Sequence, residues 1–272
     1  MSLKQITPVV LTFNEEANLR RNLDSLRWAQ RIVILDSGST DQTEAIARSY
    51  SNVTWHSRRF DSFRSQWEHA IQQTGVTTEY VLALDADMEV STKLLEEIAG
   101  AFLKSHYDGG LMPIDYRYYG RSLAGSICPP QIRIVQRNAV KVTQLNHGHK
   151  FAVAGPVYRF RNRLIHDDRK SLERWIESQL RYQKENEAEL ANGHRGRARD
   201  YARRLGLMPP IIGLLAYLRA GGPFKGAAAA RYAYERMTSE SILAVRLMDA
   251  RLQRTEVGGQ RSEVRDLDDR IS

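Results

Sequence analysis

Three runs of consecutive apolar residues mark the first third of the chain: Val9-Val10-Leu11, Ile32-Val33-Ile34-Leu35 and Val81-Leu82-Ala83-Leu84. They are continuous rather than alternating, which is the pattern of strands buried on both faces of a parallel sheet. Helical spacing fills the gaps. Leu19, Leu23 and Leu26 come after the first run. After the second, Ser39 or Thr40 is placed to cap a helix carrying Ala45 and Ile46, with Asp41 and Glu44 in its first turn. After the third, Ser91 is placed to cap a helix with Leu94, Leu95, Ile98 and Phe102 on one side. Strand alternating with helix predicts a doubly wound α/β unit.

The pattern then changes. Residues 110–118, 131–137 and 151–160 are short, partly alternating and rich in Ile, Val, Tyr and Phe, and read as strands, some antiparallel. Irregular segments are expected around Gly120–Pro130 and Asn146–Lys150. Leu172, Trp175, Ile176, Gln179 and Tyr182 share one face of a long helix ending near Leu190. Beyond it come an arginine cluster (195–204), the apolar patch MPPIIGLLAYL (208–218), GGPFKG, and an alanine-rich helix over 227–253. The stretch 254–272 lacks a packing face and reads as disordered. The expected organisation is an α/β unit over 1–190, divided near 105, then a helical region over 191–253 and a tail.

Composition narrows the chemistry. Among 272 residues, 40 Lys and Arg against 32 Asp and Glu give a net charge of +8. That balance favours anionic partners: phosphorylated small molecules, acidic lipid or nucleic acid. Cys128 is the single cysteine, so an internal disulfide and a four-cysteine metal site are both excluded. The opening MSLKQITPVVLTFNEE has no long apolar core and does not read as a secretory leader. No stretch approaches the ~20 apolar residues of a membrane-spanning helix.

Ligands of open parallel sheets bind at the carboxyl ends of the strands. Each apolar run here ends in a polar and acidic segment: Thr12-Phe13-Asn14-Glu15-Glu16, then Asp36-Ser37-Gly38-Ser39-Thr40-Asp41, then Asp85-Ala86-Asp87. No GxGxxG follows a strand and no GxxxxGK[ST] occurs, so no glycine loop cradles phosphates. Two carboxylates at i and i+2 point instead to Mg²⁺ or Mn²⁺, with phosphate oxygens completing the shell.

TFNEE, DSGSTD and a hydrophobic strand ending in DAD, at these spacings, resemble family 2 glycosyltransferases of the GT-A fold. More narrowly, FDSFRSQWEHA with Gln66, then His166-Asp167-Asp168 before a helix, and GGPFKG…YAYER, resemble the bacterial lipopolysaccharide-core β-glucosyltransferases. The resemblance covers about residues 4–250. It implies that Thr12, Phe13, Asn14, Glu15 and Asp36 hold the base and ribose of a nucleotide sugar, UDP-linked in this reading. It implies that Ser39, Asp41 and Gln66 shape that pocket, and that Asp85 and Ala86 contact the donor. By the same resemblance Asp87 is the main metal ligand, with Asp85 and His166 beside it. The first half then binds the donor and the second an acceptor, which is a surface glycan or lipid-linked.

Such enzymes invert the anomeric centre by direct displacement, which requires a base for the acceptor hydroxyl. The stretch where the related branch carries a carboxylate is here Asn146-His147-Gly148-His149-Lys150. His149 is one candidate base and Asp168 another, with Asp115 and Asp167 as rivals. The apolar patch at 208–218 is flanked by Arg203, Arg204, Arg219 and Lys225, which suits an element lying on an anionic membrane. The enzyme is therefore expected in the cytoplasm, peripheral on the inner membrane. A sugar nucleotidyltransferase would need a glycine- and basic-rich loop after the first strand. A nucleic-acid-binding protein would need basic residues interleaved with aromatics. Neither pattern is present, and no nucleic-acid partner is expected.

Overall fold

The computed structural model describes residues 2–145, 148–191 and 198–268. Its first half runs β1 (Ile6–Thr12), α1 (Leu19–Ser25), β2 (Ile32–Asp36), α2 (Thr43–Arg48), β3 (Val53–Ser57), α3 (Phe63–Gln72), β4 (Tyr80–Asp85), β5 (Met88–Glu89) and α4 (Thr92–Glu97). The second half runs β6 (Gly109–Met112), β7 (Ile114–Tyr118), β8 (Arg121–Ser122), β9 (Gln131–Gln136), β10 (Lys141–Leu145), β11 (Gly148–Ala152), β12 (Val157–Arg159) and β13 (Leu164–His166). Four helices complete the chain: α5 (Leu172–Ala191), α6 (Ala198–Arg204), α7 (Met208–Arg219) and α8 (Gly226–Asp268).

The central sheet has the order β12-β6-β9-β4-β1-β2-β3. Strands β4, β1, β2 and β3 are parallel, while β9 runs antiparallel to both β4 and β6. Alternate side chains of each buried strand serve opposite faces. Val10, Ile34, Leu82 and Leu84 join the α1, α2 and α4 side of the core, whereas Val9, Val33, Leu35, Val81 and Ala83 join the side covered by α3 and the β10–β11 hairpin. This is a mixed α/β architecture whose parallel strands are the ones the apolar runs predict.

Two register relations matter for function. Thr12 lies opposite Asp36, and Leu11 opposite Asp85, so the carboxyl ends of β1, β2 and β4 open at one level. A second sheet, β5-β13-β7-β8, stands beside this edge and sets His166 opposite Met88.

Several expectations change. Residues 110–118 divide at Pro113 into β6 and β7, and 151–160 divides between β11 and β12. His149 and Lys150 are not in an irregular loop but in β11, paired to β10; Asn146 and His147 lie outside the described residues. Helix α2 begins at Thr43 rather than at Ser39 or Thr40, because those two residues are bonded into the neighbouring loop. Ser91 does cap α4, accepting from the Leu94 amide at 3.2 Å. Helix α8 continues to Asp268, well past 253, since no proline interrupts it. The arginine cluster of 195–204 lies partly outside the described residues; its remainder forms α6.

The C-terminal helices are not detached from the α/β unit. Ala216 and Ala220 of α7 and Ala228, Ala229 and Tyr232 of α8 form a buried cluster with Leu123. The Ile127 amide donates to the Tyr232 hydroxyl at 3.0 Å.

Candidate functional site

Asp36, at the end of β2, is buried, and its carboxylate is fully engaged. One oxygen accepts from the Thr12 hydroxyl at 2.8 Å and the Ser39 hydroxyl at 2.5 Å; the other accepts from the Gly38 and Ser39 amides at 2.8 and 2.7 Å. A carboxylate offers about four acceptor sites, so Asp36 is occupied in shaping the loop. Gly38 supplies the required left-handed turn at φ 95°.

A second set of bonds zips this loop to the one after β1. Asn14, itself left-handed at φ 53°, donates its amide to Ser39 Oγ and accepts from the Thr40 amide, each at 2.7 Å. The Glu15 amide donates to Thr43 Oγ1 at 2.7 Å, and the Glu16 amide to Asp41 at 3.2 Å. Asp41 also accepts from the Thr43 amide at 3.0 Å, which starts α2. Phe13 is left exposed at the rim, with the Arg174 guanidinium 6.0 Å from its ring centre. Gln66 is not a solvated helix position. It is fully buried on α3 and donates to Ser37 Oγ at 3.0 Å, while Arg58 donates to its carbonyl.

The Asp85-Ala86-Asp87 turn leaves β4 next to this pocket. The two acids have different surroundings. Asp85, expected beside Asp87 as a ligand, pairs through one oxygen with Arg133 of β9 at 2.9 Å. Burial alone would raise Asp85, but Arg133, with His149 and His166 nearby, holds it below the ordinary carboxylate range. Asp87 is raised, chiefly by burial, against the pull of His166 and Lys170. His166 Nε2 stands 3.5 Å from Asp87 Oδ2. The other oxygen, Asp87 Oδ1, is buried without a hydrogen-bond partner, a costly state for a carboxylate.

Among the described residues no group of three or more His, Cys, Asp or Glu is placed to hold a metal ion. The fit to a hard divalent ion rests on the two donors that do meet. Mg²⁺ and Mn²⁺ are held by one or two carboxylates, with substrate phosphates and water supplying the rest. An unpartnered carboxylate oxygen beside an imidazole suits that role.

Glu15 and Asp168 close the other flank. The Lys170 ammonium contacts both Glu15 oxygens at 2.9 and 3.0 Å and Asp168 Oδ1 at 3.1 Å. Asn18 Nδ2 donates to the same two acids, at 2.9 Å each. Burial raises Glu15 to about 7 despite the lysine. Asp168 is only half-buried, and Lys170 and Asn18 hold it low against the opposing effect of desolvation.

His149 is packed among aromatic rings, with centroids 4.7 Å from Phe151 and 5.2 Å from Trp67. Burial, reinforced by Arg133 and opposed by Asp85, lowers it to about 4. It is therefore neutral at pH 7. Asp115 is engaged by Arg117 and Ser122; Asp167 is engaged through one oxygen, Oδ2, by Arg169 and the Gly120 amide, while its Oδ1 is buried without a partner.

The structure thus gathers Thr12, Asn14, Asp36, Ser39, Asp41 and Gln66 on the β1–β2 flank, and Asp85, Ala86, Asp87, Glu15, His166 and Asp168 at the end of β4. His149 lies within electrostatic reach of Arg133 and Asp85. Sequence reasoning missed Arg133, Asn18 and Lys170. Lys170 carries a faint signal as a cation two residues past Asp168; Arg133 and Asn18 carry none.

A family model described as Glycosyl transferase family 2 matches residues 8–152, more than half of the chain. The lipopolysaccharide core biosynthesis glycosyltransferase LpsC of Rhizobium meliloti (strain 1021) is 32% identical over 95 residues, which is 34% of each chain. An uncharacterized glycosyltransferase of Rickettsia bellii (strain RML369-C) is 30% identical over 111 residues, 39% of this chain and 35% of the other. The chain thus spans about a third of the length of these curated relatives. Among solved structures, S. aureus TarS 1-349 in complex with UDP-GlcNAc aligns with a TM-score of 0.50 over 86% of this chain and 90% of that chain. At 16% identity the likeness is one of fold.

Proposed function

We propose that this chain, which belongs to glycosyl transferase family 2, moves a hexose from a nucleoside diphosphate, UDP in this reading, to a hydroxyl of a bacterial surface glycan or lipid-linked acceptor. The observation that carries the proposal is Asp87: a buried carboxylate with one unpartnered oxygen, beside His166, at the mouth of the parallel strands. Four carboxylates there, Glu15, Asp85, Asp87 and Asp168, face two permanent cations, Arg133 and Lys170. A bound divalent ion would offset the excess of acidic groups.

Asp87 and His166 would hold Mg²⁺ or Mn²⁺, which when bound neutralises charge developing on the departing diphosphate. The rest of the work falls to the protein. Phe13 offers an aromatic face to the base, and Thr12, Asn14 and Ser39, fixed by Asp36, line the pocket beneath it. Asp85, kept ionised by Arg133, accepts from a ribose or sugar hydroxyl. Direct displacement with inversion needs a proton acceptor within ~3 Å of the attacking hydroxyl. His149 and Asp168 are the candidates.

The acceptor side has a surface to match. Along α7, Ile211, Leu214, Leu215 and Leu218 are exposed at helical spacing, while Met208, Gly213 and Ala216 face inward. Phe224 is 95% exposed just beyond. No acidic residue occurs between Asp200 and Glu235, and Arg219 and Lys225 lie beside the apolar face. No helix among the described residues is long and apolar enough to cross a membrane. An apolar stripe in a basic, acid-free segment supports docking on an anionic bilayer.

The test is donor turnover. With Mn²⁺ and UDP-hexose, Asp87→Asn is expected to lower kcat/KM for transfer or donor hydrolysis at least a hundredfold while the variant remains folded. Unchanged turnover with unchanged metal dependence refutes the proposal.

A further inference from the structure

The hairpin joining β7 to β8 is turned by Tyr119 and Gly120, with Tyr118 paired to Arg121 across it. Both central residues have left-handed backbone, at φ 51° and 81°. A two-residue turn of this kind requires positive φ at both positions and is normally built from Asn, Asp and Gly. Gly120 meets that requirement, whereas a bulky side chain at Tyr119 is strained. Burial does not offset the strain, because Tyr119 is 66% exposed. Among the described residues Asn14 is the other non-glycine with positive φ, and it belongs to the candidate site. Strain of this sort gathers at functional positions.

Hydrogen bonds tie this turn to the mouth of the site. The Gly120 amide donates to Asp167 Oδ2 at 2.9 Å, and the Asp167 amide donates to the Asp87 carbonyl at 3.0 Å. Asp167 is buried between His166 and Asp168 in the chain, and Arg169 grips the same carboxylate oxygen at 2.9 Å. The hairpin is also held by α8. The Tyr118 hydroxyl donates to Glu235, and the Arg231 guanidinium lies 5.9 Å from the Tyr118 ring centre. Tyr119 is thus an exposed ring on a turn fixed from both sides, two hydrogen bonds from Asp87. A ring so held offers contact area at little cost in conformational freedom.

We propose that Tyr119 is a platform for the acceptor, its ring packing against the C–H face of a pyranose. The two surfaces match. A pyranose has an apolar face of C–H groups with hydroxyls around its rim, and a phenol has an apolar face with one polar edge. The donor flank is built from the loops after β1 and β2, in the first half of the chain, whereas Tyr119 comes from the second half. The inference rests on the glycosyl-transfer reading given above and adds to it a residue that selects the acceptor.

The experiment is saturation-transfer NMR on the full chain with UDP and Mg²⁺ present. The probes are methyl β-D-glucopyranoside, methyl β-D-galactopyranoside and methyl α-D-mannopyranoside, and UDP affinity is measured alongside by calorimetry. In the unaltered chain the ring protons of at least one glycoside receive saturation. Tyr119→Gly suits the left-handed backbone, so the variant folds with a melting temperature equal to or above that of the unaltered chain. It cuts saturation transfer at least fivefold and leaves UDP affinity within twofold. Tyr119→Phe keeps the ring and retains at least half of the transfer. Equal transfer in Tyr119→Gly, equal loss in Tyr119→Phe, or a parallel loss of UDP affinity overturns the role of Tyr119. So does the absence of transfer to all three glycosides in an unaltered chain that binds UDP. An unaltered chain that binds no UDP overturns the donor reading itself.

Discussion

Asp85 and Asp87 are two residues apart in a short turn, and the structure gives them opposite electrostatics. Asp85 is clamped by a buried arginine and stays ionised; Asp87 is pushed up by burial and keeps a free oxygen. Division of labour between close carboxylates arises from environment, not from residue type. The same rule acts on His149. An ordinary histidine titrates near ~6.5, whereas this one is lowered to about 4 by burial and by Arg133. A base works only when deprotonated, so activity that depends on neutral His149 is complete well above pH 4 and is lost as pH falls through it. The acid limb of the kcat/KM profile should therefore sit near pH 4. His149→Ala should remove that limb along with most activity, whereas an unshifted limb and retained activity would transfer the role to Asp168. An acid limb near 6.5 in the unaltered chain contradicts a burial-lowered histidine.

Among the elements, β1, β2 and β4 are legible in the sequence because strands covered on both faces must be continuously apolar. The half-exposed strand β3, Val53–Ser57, lacks such a run and leaves no comparable signal. The start of α2 departs from the capping pattern for a chemical reason: Ser39 and Thr40 have good capping side chains, but Asp36 and Asn14 claim them first. The three acidic strand ends are legible as motifs, since each lies within six residues of sequence. Arg133 and Lys170 are not, because only the pairing of β9 with β4 and of β13 with β5 carries them to the acids at the end of β4. Asp36 shows how the loops depend on one side chain. Asp36→Asn replaces an acceptor oxygen by a donor and strips up to two of four hydrogen bonds in a buried site. Denaturant unfolding should register a loss of about 1–3 kcal/mol, and UDP binding should weaken with it. Unaltered stability would mean the loop does not hang on this carboxylate.

At the scale of the molecule, charge and apolar surface are unevenly spread. The carboxyl end of the parallel strands collects carboxylates, while residues 201–234 carry no acid and present the α7 stripe. Helices α7 and α8 share a buried cluster with the 116–128 segment, so the surface carried by α7 is tied to the α/β unit. Leu214→Glu/Leu218→Glu alters exposed positions only. It is expected to reduce co-sedimentation with phosphatidylglycerol-containing vesicles at least tenfold, leaving the melting temperature and transfer to a water-soluble acceptor unchanged. Equal sedimentation of the variant, or equal binding to neutral phosphatidylcholine vesicles, would remove the case for an anionic membrane.

The central claim is that Asp87 binds a divalent ion that in turn holds the donor diphosphate. Calorimetric titration of UDP into the folded protein, with Mn²⁺ and then with chelator, tests it most directly. UDP binding is predicted to weaken at least tenfold when the metal is removed, and an Asp87→Asn variant to bind UDP weakly and equally in both conditions. UDP affinity that ignores the metal, or an Asp87→Asn variant with full metal-dependent affinity, would contradict it.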